Sequence, residues 1–377
     1  MTVASKNLAP AGGGTPRALA KAKRTQAENL ELIRKAWPWA FLVLLVTLFT
    51  IASKQANNVN FLSPRAIQGI LLYTTQILLM GMAETFIIIS AGIDLSIGWT
   101  LGFSSVISAM VMRELNGHAP PVVTIGAGML AGILVTIVPG LLNGFLIARI
   151  KVPSFITTLG VGSLVEGAAL LLSKGYPIAE NQPDALGQLG NGSLIYWSPG
   201  HWLSFFSVPP TATLPELQAS IPLIPNVVFV TLIVTVMCWF ILAKTQFGQH
   251  IYAIGGNFEA ATRAGIPVQR TLIKVYILGS VLAGIAGVIW ASRFTSGAYN
   301  AGETQTLTAV SAVVIGGASL FGGEGTITGT IVGALIIGTI VYGLVVLGMP
   351  AFWQYIAVGI VLIIAVVVDQ FGRALGK

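Results

Sequence analysis

Four polar side chains that could carry chemistry lie within apolar stretches of this sequence: Glu84, Asp94, Asn143 and Glu166. Carboxylate and amide groups hydrogen-bond hydroxyl groups, so such residues could line a pathway for a polar solute. Ionisable groups inside a membrane span are costly and are functional candidates by default. Two of these residues could instead have a purely structural role. Glu84 could bond a neighbouring helix, and Asp94 is placed to cap the helix that opens near Ser96.

The residue types needed for catalysis or metal binding are sparse. The chain has one cysteine, Cys238, and its three histidines, His118, His201 and His250, are far apart in the sequence. No G-x-x-x-x-G-K-[ST], G-x-S-x-G or H-E-x-x-H motif occurs. These motifs carry phosphate binding, nucleophilic catalysis and zinc chemistry. We therefore expect no catalytic residue, no metal and no cofactor in this chain, and any ATP and Mg²⁺ would be bound by a partner.

A short polar stretch, GGNFEAATRAGI, occupies Gly255–Ile266 between two apolar runs. Its E-A-A-x-x-x-G spacing, from Glu259 to Gly265, predicts a short helix with a small, flat face. Gly265 is suited to the left-handed conformation that ends a helix. Such a helix could lodge in a groove of another protein, or it could lie on the membrane surface.

Composition identifies the elements that would position these residues. Of the 377 residues, 54% are hydrophobic and 9% are charged, against about a quarter charged in soluble domains. The 44 glycines allow close packing of membrane helices, and the continuous apolar runs argue against a β-barrel. The sequence therefore predicts an all-α integral membrane protein.

Apolar runs of about 20 residues predict membrane-spanning helices. We count about ten, some short or broken, within a transmembrane domain at residues 37–371. The predicted spans are Trp37–Ser53, Ala66–Ile89, Trp99–Met112, Val122–Ala148 with a kink at Pro139, Ser154–Ser173, Val227–Ala243, Leu272–Ser292, Leu307–Leu320 and two after Glu324.

Charge placement predicts the orientation. Residues 1–36 form a basic tail that we expect to be disordered and cytoplasmic, because lysine and arginine favour that side. A nucleic-acid-binding arm is the less favoured alternative. With both termini inside, the basic loop at about 244–270 is also cytoplasmic. The loop at about 175–222 lies outside, and it contains no lysine or arginine.

Two segments place glycines and small polar residues beside apolar runs, at Ile89–Gly98 and Ile315–Gly329. Non-helical backbone at membrane depth survives only where it is buried in protein or lines a watery cavity. Many transporters carry broken segments at matching positions of two related halves. The pattern predicts non-helical backbone at both places and suggests an inverted repeat.

Three ordered motifs resemble the permease subunits of bacterial ABC importers of the ribose, xylose and galactose type. The similarity covers about Ile67 to Phe371. The motifs are GMAETFIIISAGIDLSIG at Gly81–Gly98, the segment Ala253–Arg293 that begins AIGGNFEAATRAGI, and LTAVSAVVIGGASLFGGEGTITGTIVGALIIG at Leu307–Gly338.

The resemblance implies a non-enzymatic sugar permease of the bacterial inner membrane. It implies a second permease chain, most simply a homodimer, ABC ATPase subunits and a periplasmic sugar-binding protein as partners. The ATPase would dock on a coupling helix, and Phe258 departs from the proline common at its position in the family. The coupling residues implied are Gly256, Asn257, Phe258, Glu259, Ala260, Ala261, Arg263 and Gly265.

Three other functions remain open from the sequence. A branched-chain amino-acid permease of the related ABC group is the main rival. An ion-coupled secondary transporter would use Glu84 and Asp94 as carboxylate sites. A membrane-embedded enzyme is disfavoured, because no nucleophile, metal or acid–base constellation is present in the sequence.

Overall fold

The computed structural model describes residues 16–209 and 211–375. Helices dominate it. In chain order they are α1 (Pro16–Asn57), α2 (Pro64–Ile89), α3 (Ile97–Leu115), α4 (Pro121–Val135), α5 (Ile137–Phe145) with a π-helical end (Leu146–Ile150), α6 (Ser154–Ser173), α7 (Asp184–Asn191), α8 (Leu214–Ala219), α9 (Asn226–Lys244), α10 (Gln246–Gly256), α11 (Phe258–Arg263), α12 (Val268–Phe294), α13 (Gln305–Ile315), α14 (Ile327–Val346) and α15 (Phe352–Leu375).

Seven helical stretches among the described residues are long and apolar enough to cross a membrane. Apolar helices at Gln305–Ile315 and Phe352–Ile364 are shorter. The chain is therefore a polytopic helical membrane protein, as predicted, while the count of ten stays a prediction. The seven are Ala36–Asn57, Pro64–Ile89, Pro121–Ile150, Ser154–Ser173, Asn226–Lys244, Val268–Phe294 and Ile327–Val346.

Helix α3 is not one of the seven, because its serines, Thr100 and the charged residues Arg113 and Glu114 lower its mean hydropathy. Thr100, Ser104, Ser105 and Ser108 are fully buried. The helix packs against α4, α6 and α12, so its hydroxyl groups face protein. Ser104 Oγ, for example, donates to the Gly284 carbonyl oxygen at 2.9 Å. The centre of the molecule is therefore built from α2, α3 and α12, with α1 and α9 at the periphery.

The predicted kink at Pro139 appears one turn earlier in the chain. Helix α4 ends at Val135, and α5 begins at Ile137 after Thr136. Proline lacks an amide hydrogen, and its ring clashes with the carbonyl four residues before it. For Pro139 that carbonyl belongs to Val135, which explains where α4 ends.

The region expected outside the membrane contains a small sheet that the sequence analysis did not predict. Strands β1 (Ser193–Ser198), β2 (Trp202–Phe205) and β3 (Ile221–Pro225) pair antiparallel in the order β2-β1-β3. Tyr196 pairs with Ser204 on one side and with Pro222 on the other. The proline and glycine content of the region suggested loops, but the β-branched and aromatic residues between them form strands.

The basic tail also differs from the expectation. Helix α1 begins at Pro16, so the second half of the segment expected to be disordered is helical. Alanine, lysine, glutamate and leucine are strong helix formers, and they make up most of residues 17–36. Residues 1–15 lie outside the described part of the chain.

Both predicted broken segments are non-helical: residues 90–96 between α2 and α3, and residues 316–326 between α13 and α14. A third, residues 295–304, joins α12 to α13 and was not predicted. It runs beside α3, where Ser105 Oγ donates to the Ala298 carbonyl oxygen at 3.0 Å.

The beginnings of α3 and α13 meet. The Gly98 amide donates to Thr306 Oγ1 at 3.1 Å, and a side chain at Gly98 would collide with the Gly302 carbonyl. Glycine is required there because two backbones touch. Two helices that begin side by side within the protein agree with the suggested inverted repeat, which itself stays a prediction.

Candidate functional site

Helix α11 forms at the predicted place, and Asn257 starts it. The Asn257 side-chain oxygen accepts the Ala260 amide at 2.9 Å, and its carbonyl accepts the Ala261 amide at 2.9 Å. Asparagine is among the best residues for this N-cap position. The cap therefore satisfies one of the amides that the first turn of a helix leaves free.

Gly265 ends the helix as predicted. Its φ is +80°, in the region that glycine adopts without steric cost. The Gly265 amide donates to the Thr262 carbonyl, and the Ile266 amide donates to the Ala261 carbonyl, both at 3.1 Å. These two bonds are the Schellman motif. Local sequence signals thus fix both ends of this six-residue helix.

One face of α11 is anchored to the membrane domain. Ala261 is buried with Ala148, Ile254, Val268 and Leu272. Ala148 lies in the π-helical end of α5, Ile254 lies on α10, and Val268 and Leu272 lie on α12. The cluster holds a short helix in a fixed place, which its own length could not do.

The opposite face of α11 is open. Phe258 is 53% exposed, and Gly256, Asn257, Ala260 and Gly265 are also exposed. A phenylalanine left open on a fixed helix is suited to the pocket of a partner.

The charged residues of α11 share that open face. Glu259 and Arg263 form an ion pair at 3.6 Å, with both side chains more than 80% exposed. Such a pair contributes little to stability. Both charges therefore remain available for a partner.

Helix α10 connects this surface to the membrane core. A side chain at Gly255 would collide with the Ile89 carbonyl. The Gly323 amide donates to that same carbonyl at 2.9 Å, and Tyr252 Oη donates to the Gly325 carbonyl at 2.6 Å. Burial raises the pKa of Tyr252 above its usual value, so the hydroxyl stays a donor. Ile89, Gly255 and Gly323 each belong to a different one of the three motifs quoted in the sequence analysis. These motifs, which are distant in sequence, therefore touch at the end of α2.

Asp94 and Asn143, two of the predicted pathway residues, lie together and are fully buried. Asp94 Oδ1 accepts the Ser96 amide at 2.8 Å and the Ser96 hydroxyl at 2.5 Å. Asn143 Nδ2 donates to Ser96 Oγ at 2.9 Å and reaches Asp94 Oδ2 at 3.5 Å. We name Asp94, Ser96 and Asn143 the buried polar triad.

The prediction that Asp94 caps α3 is wrong. The N-cap residue is Ser96, and Asp94 accepts the amide two residues ahead in an Asx-type turn. The Asn143 amide and the Ser96 hydroxyl hold the carboxylate in that turn. Aspartate commonly bonds its own backbone in this manner. Asp94 thus orders residues 90–96, which lead into α3.

Glu84 is also fully buried, on α2. Neither carboxylate oxygen has a hydrogen-bond partner within the part of the chain that is described, nor does Tyr276 Oη on α12. A side chain at Gly92 would lie 2.5 Å from that hydroxyl. Buried polar groups in proteins are satisfied by protein or by ordered water. Glu84 therefore sits in the interior, away from any open surface of this chain.

Glu166, the fourth predicted pathway residue, is separate from the others. It lies on α6 and is partly exposed, and none of the hydrogen bonds described here reaches it. The structure brings Asp94 and Asn143 together, and Glu84 lies next to Asp94, whereas none of the described hydrogen bonds links Glu166 to these three.

A polar exposed surface that the sequence analysis missed lies on residues 300–308. Asn300, Glu303, Thr304 and Leu307 are exposed, and they recur at helical spacing. A polar run, NAGETQT, placed just before an apolar helix was the available signal. The run lies between the predicted spans Leu272–Ser292 and Leu307–Leu320. Its position beside α3 depends on contacts that are distant in sequence.

Metal-ligating residues are not clustered in residues 16–209 and 211–375, where no group of three or more His, Cys, Asp or Glu side chains could hold a metal ion. Cys238 is a buried free cysteine.

Apolar spans, broken helices that meet inside the protein, and a fixed helix with an open face together define a membrane transport protein of the helical type. Residues 66–366 match the family described as "Branched-chain amino acid transport system / permease component". This match covers most of the chain, and the protein belongs to that family.

Several curated proteins are similar over nearly their full length. The L-arabinose ABC transporter permease protein AraH of Azospirillum brasilense is 34% identical over 88% of this chain and 87% of its own. The fructose import permease protein FrcC of Rhizobium meliloti is 32% identical over 93% of this chain and 90% of its own. The ribose import permease protein RbsC of Bacillus subtilis is 35% identical over 90% of this chain and 94% of its own. No solved structure gives a significant match.

Proposed function

We propose that this protein is the permease subunit of an ABC importer that carries a monosaccharide across the inner membrane. Sugar-import permeases at 32–35% identity over nearly the whole chain support this function. The observation that carries the mechanism is α11, a helix fixed by Ala261 on one side and open at Phe258 and Glu259 on the other.

In this proposal ATPase subunits dock on the open face of α11 and bind the ATP and Mg²⁺. Their closure pushes α11, and the rigid contact between Gly255 and the end of α2 passes the movement to the core. The buried polar triad then moves as one piece with α3. A second copy of the chain completes the pathway, and a periplasmic binding protein delivers the sugar. The termini are cytoplasmic, as the basic residues favour.

Reconstitution tests the transport function. Proteoliposomes containing permease and ATPase, supplied with the binding protein, should take up one of radiolabelled ribose, L-arabinose, xylose or fructose. Uptake should require ATP and should persist when ionophores collapse the ion gradients. Gradient-driven uptake by the permease alone would instead establish a secondary transporter.

Glu259→Lys tests the docking surface. The reversed charge should remove the ATPase from the purified complex while the permease stays folded. The matched control is Glu180→Lys, an exposed glutamate in the loop expected on the other side of the membrane. Equal ATPase recovery with both variants would refute docking at α11.

A branched-chain amino acid is the second candidate substrate, because the family description names that class. Its test is uptake of radiolabelled leucine in the same proteoliposomes. Leucine uptake without sugar uptake would replace the sugar assignment and leave the ABC mechanism in place.

A further inference from the structure

The segment that leads into α13 lies at membrane depth. Helix α13 has 11 residues, so it spans about 16 Å at 1.5 Å per residue. It ends at the 316–326 connection, which contacts the end of α2 and α10. The hydrocarbon core is about 30 Å thick, so the beginning of α13 lies near its middle.

Contacts with α3 place the same segment independently. The Ala298 amide donates to Ser105 Oγ at 3.1 Å, and Gly302 packs on Gly98 at the beginning of α3. Helix α3 extends from there to Leu115, a rise of about 26 Å. Residues 298–302 therefore descend along α3 from the far side of the membrane towards its middle.

The two sides of this segment differ in exposure. Gly297, Ala298, Gly302 and Thr306 are buried against α3. Asn300, Glu303, Thr304 and Leu307 are exposed, and Leu307 is 60% exposed. Irregular backbone and a carboxylate at membrane depth are not stable against lipid. This exposed side must therefore face water or another polar surface.

Its polar groups are not used to hold the fold together. Thr304 is the N-cap residue of α13, yet its side chain makes no cap hydrogen bond. Thr308 Oγ1 donates only back to the Thr304 carbonyl, at 2.9 Å. An amide, a carboxylate and hydroxyl groups on one side provide the donors and acceptors that a polyhydroxylated solute requires.

We propose that Asn300, Glu303, Thr304 and Thr308 line the aqueous pathway and contact the sugar at the middle of the membrane. This inference rests on the proposed function and assigns the sugar contacts to the exposed side of residues 300–308, not to the buried Glu84 or the buried polar triad. Leu307 gives the same surface an apolar patch for the C–H groups of the sugar ring.

Thiol accessibility tests the aqueous position without knowledge of the sugar. Thr304→Cys and Asn300→Cys are made in a Cys238→Ala background, which leaves one thiol in each chain. Val236→Cys is the matched control, since Val236 is 56% exposed halfway along the apolar helix α9. In the assembled complex, a charged methanethiosulfonate should label positions 304 and 300 at least about tenfold faster than 236, because the reacting thiolate forms in water. Labelling as slow as at 236, with all three thiols reactive after denaturation, would overturn the proposal.

Transport tests the sugar contact. Glu303→Gln keeps the size of the side chain and removes its charge, so sugar uptake should fall about tenfold through one weakened hydrogen bond. ATPase recovery should be unchanged, and Glu114→Gln, on the exposed end of α3, should transport normally. Unchanged uptake by Glu303→Gln would overturn the contact. If the unmutated complex neither transports a sugar nor retains the ATPase, the proposed function is refuted. The thiol labelling still tests whether positions 300 and 304 face water.

Discussion

Glu259 and Asp94 are both acids placed close to the beginning of a helix, yet their surroundings are opposite. Glu259 is more than 80% exposed, and its pairing with Arg263 is a single surface contact at 3.6 Å. Asp94 is fully buried and is held by Ser96 and Asn143. A carboxylate in water is free for recognition, whereas one in the interior must be satisfied by its own chain. The exposed acid Glu259 is available to a partner, whereas the buried acid Asp94 stabilises the fold.

Replacement of the buried acid, Asp94, should cause the greatest loss of stability. Asp94→Leu leaves the buried Ser96 amide and Ser96 hydroxyl without their acceptor, although Asn143 Nδ2 keeps its bond to Ser96 Oγ. Each unsatisfied buried group costs about 1–3 kcal/mol, so we expect a loss of about 3–5 kcal/mol. Thermal unfolding in detergent should show a large drop in Tm. Asp94→Asn, which keeps an acceptor, should lose less, and an unchanged Tm for Asp94→Leu would contradict the structural role.

Gly255→Ala should have the next largest effect. The added methyl group collides with the Ile89 carbonyl at the end of α2, and overpacking of this kind costs about 1–3 kcal/mol. Gly256→Ala is the matched control, because nothing lies within 4 Å of its added atom. Equal Tm values for the two variants would show that the contact between α10 and α2 is not tight.

Loss of the cap of α11 should have a smaller effect. Asn257→Ala removes the acceptor of the Ala260 amide, which costs about 1 kcal/mol at an N-cap. Hydrogen exchange of the α11 amides should rise, whereas α12 should be unaffected. Asn257→Asp keeps the acceptor and should preserve protection, so a rise with both variants would argue against capping.

Replacement of the exposed acid Glu259 should have the smallest effect on stability. Glu259→Gln removes only the exposed pair with Arg263, which is worth less than about 0.5 kcal/mol. The Tm should therefore be unchanged, although ATPase recovery should fall. A drop in Tm comparable with that of Asp94→Leu would remove the distinction between the two acids.

The parts of the molecule that were predicted from sequence depend on local signals. Asn257 and Gly265 specify the two ends of α11 through neighbouring residues alone, and apolar runs specify the long spans. The cap assigned to Asp94 was wrong because the outcome is decided by Ser96 and Asn143, and Asn143 is 49 residues away.

The re-entry of residues 295–304 could not be predicted for the same reason. It depends on Gly98, Ser105 and Gly302, which meet only in the folded chain. In the sheet around Tyr196, the pairing of β1 with β3 likewise joins residues far apart in the chain, such as Trp197 and Ile221. Contacts that are remote in sequence leave no periodic pattern in any one segment.

Photocrosslinking tests most directly the claim that α11 receives the ATPase. Phe258 and Phe294 are matched probes, since they are 53% and 56% exposed at opposite ends of the region that α12 spans. A benzophenone amino acid at position 258 should give a covalent adduct with the ATPase subunit, and the same group at 294 should give none. An adduct at 294, or no adduct at 258 in a complex that retains the ATPase, would show that the ATPase does not dock on α11.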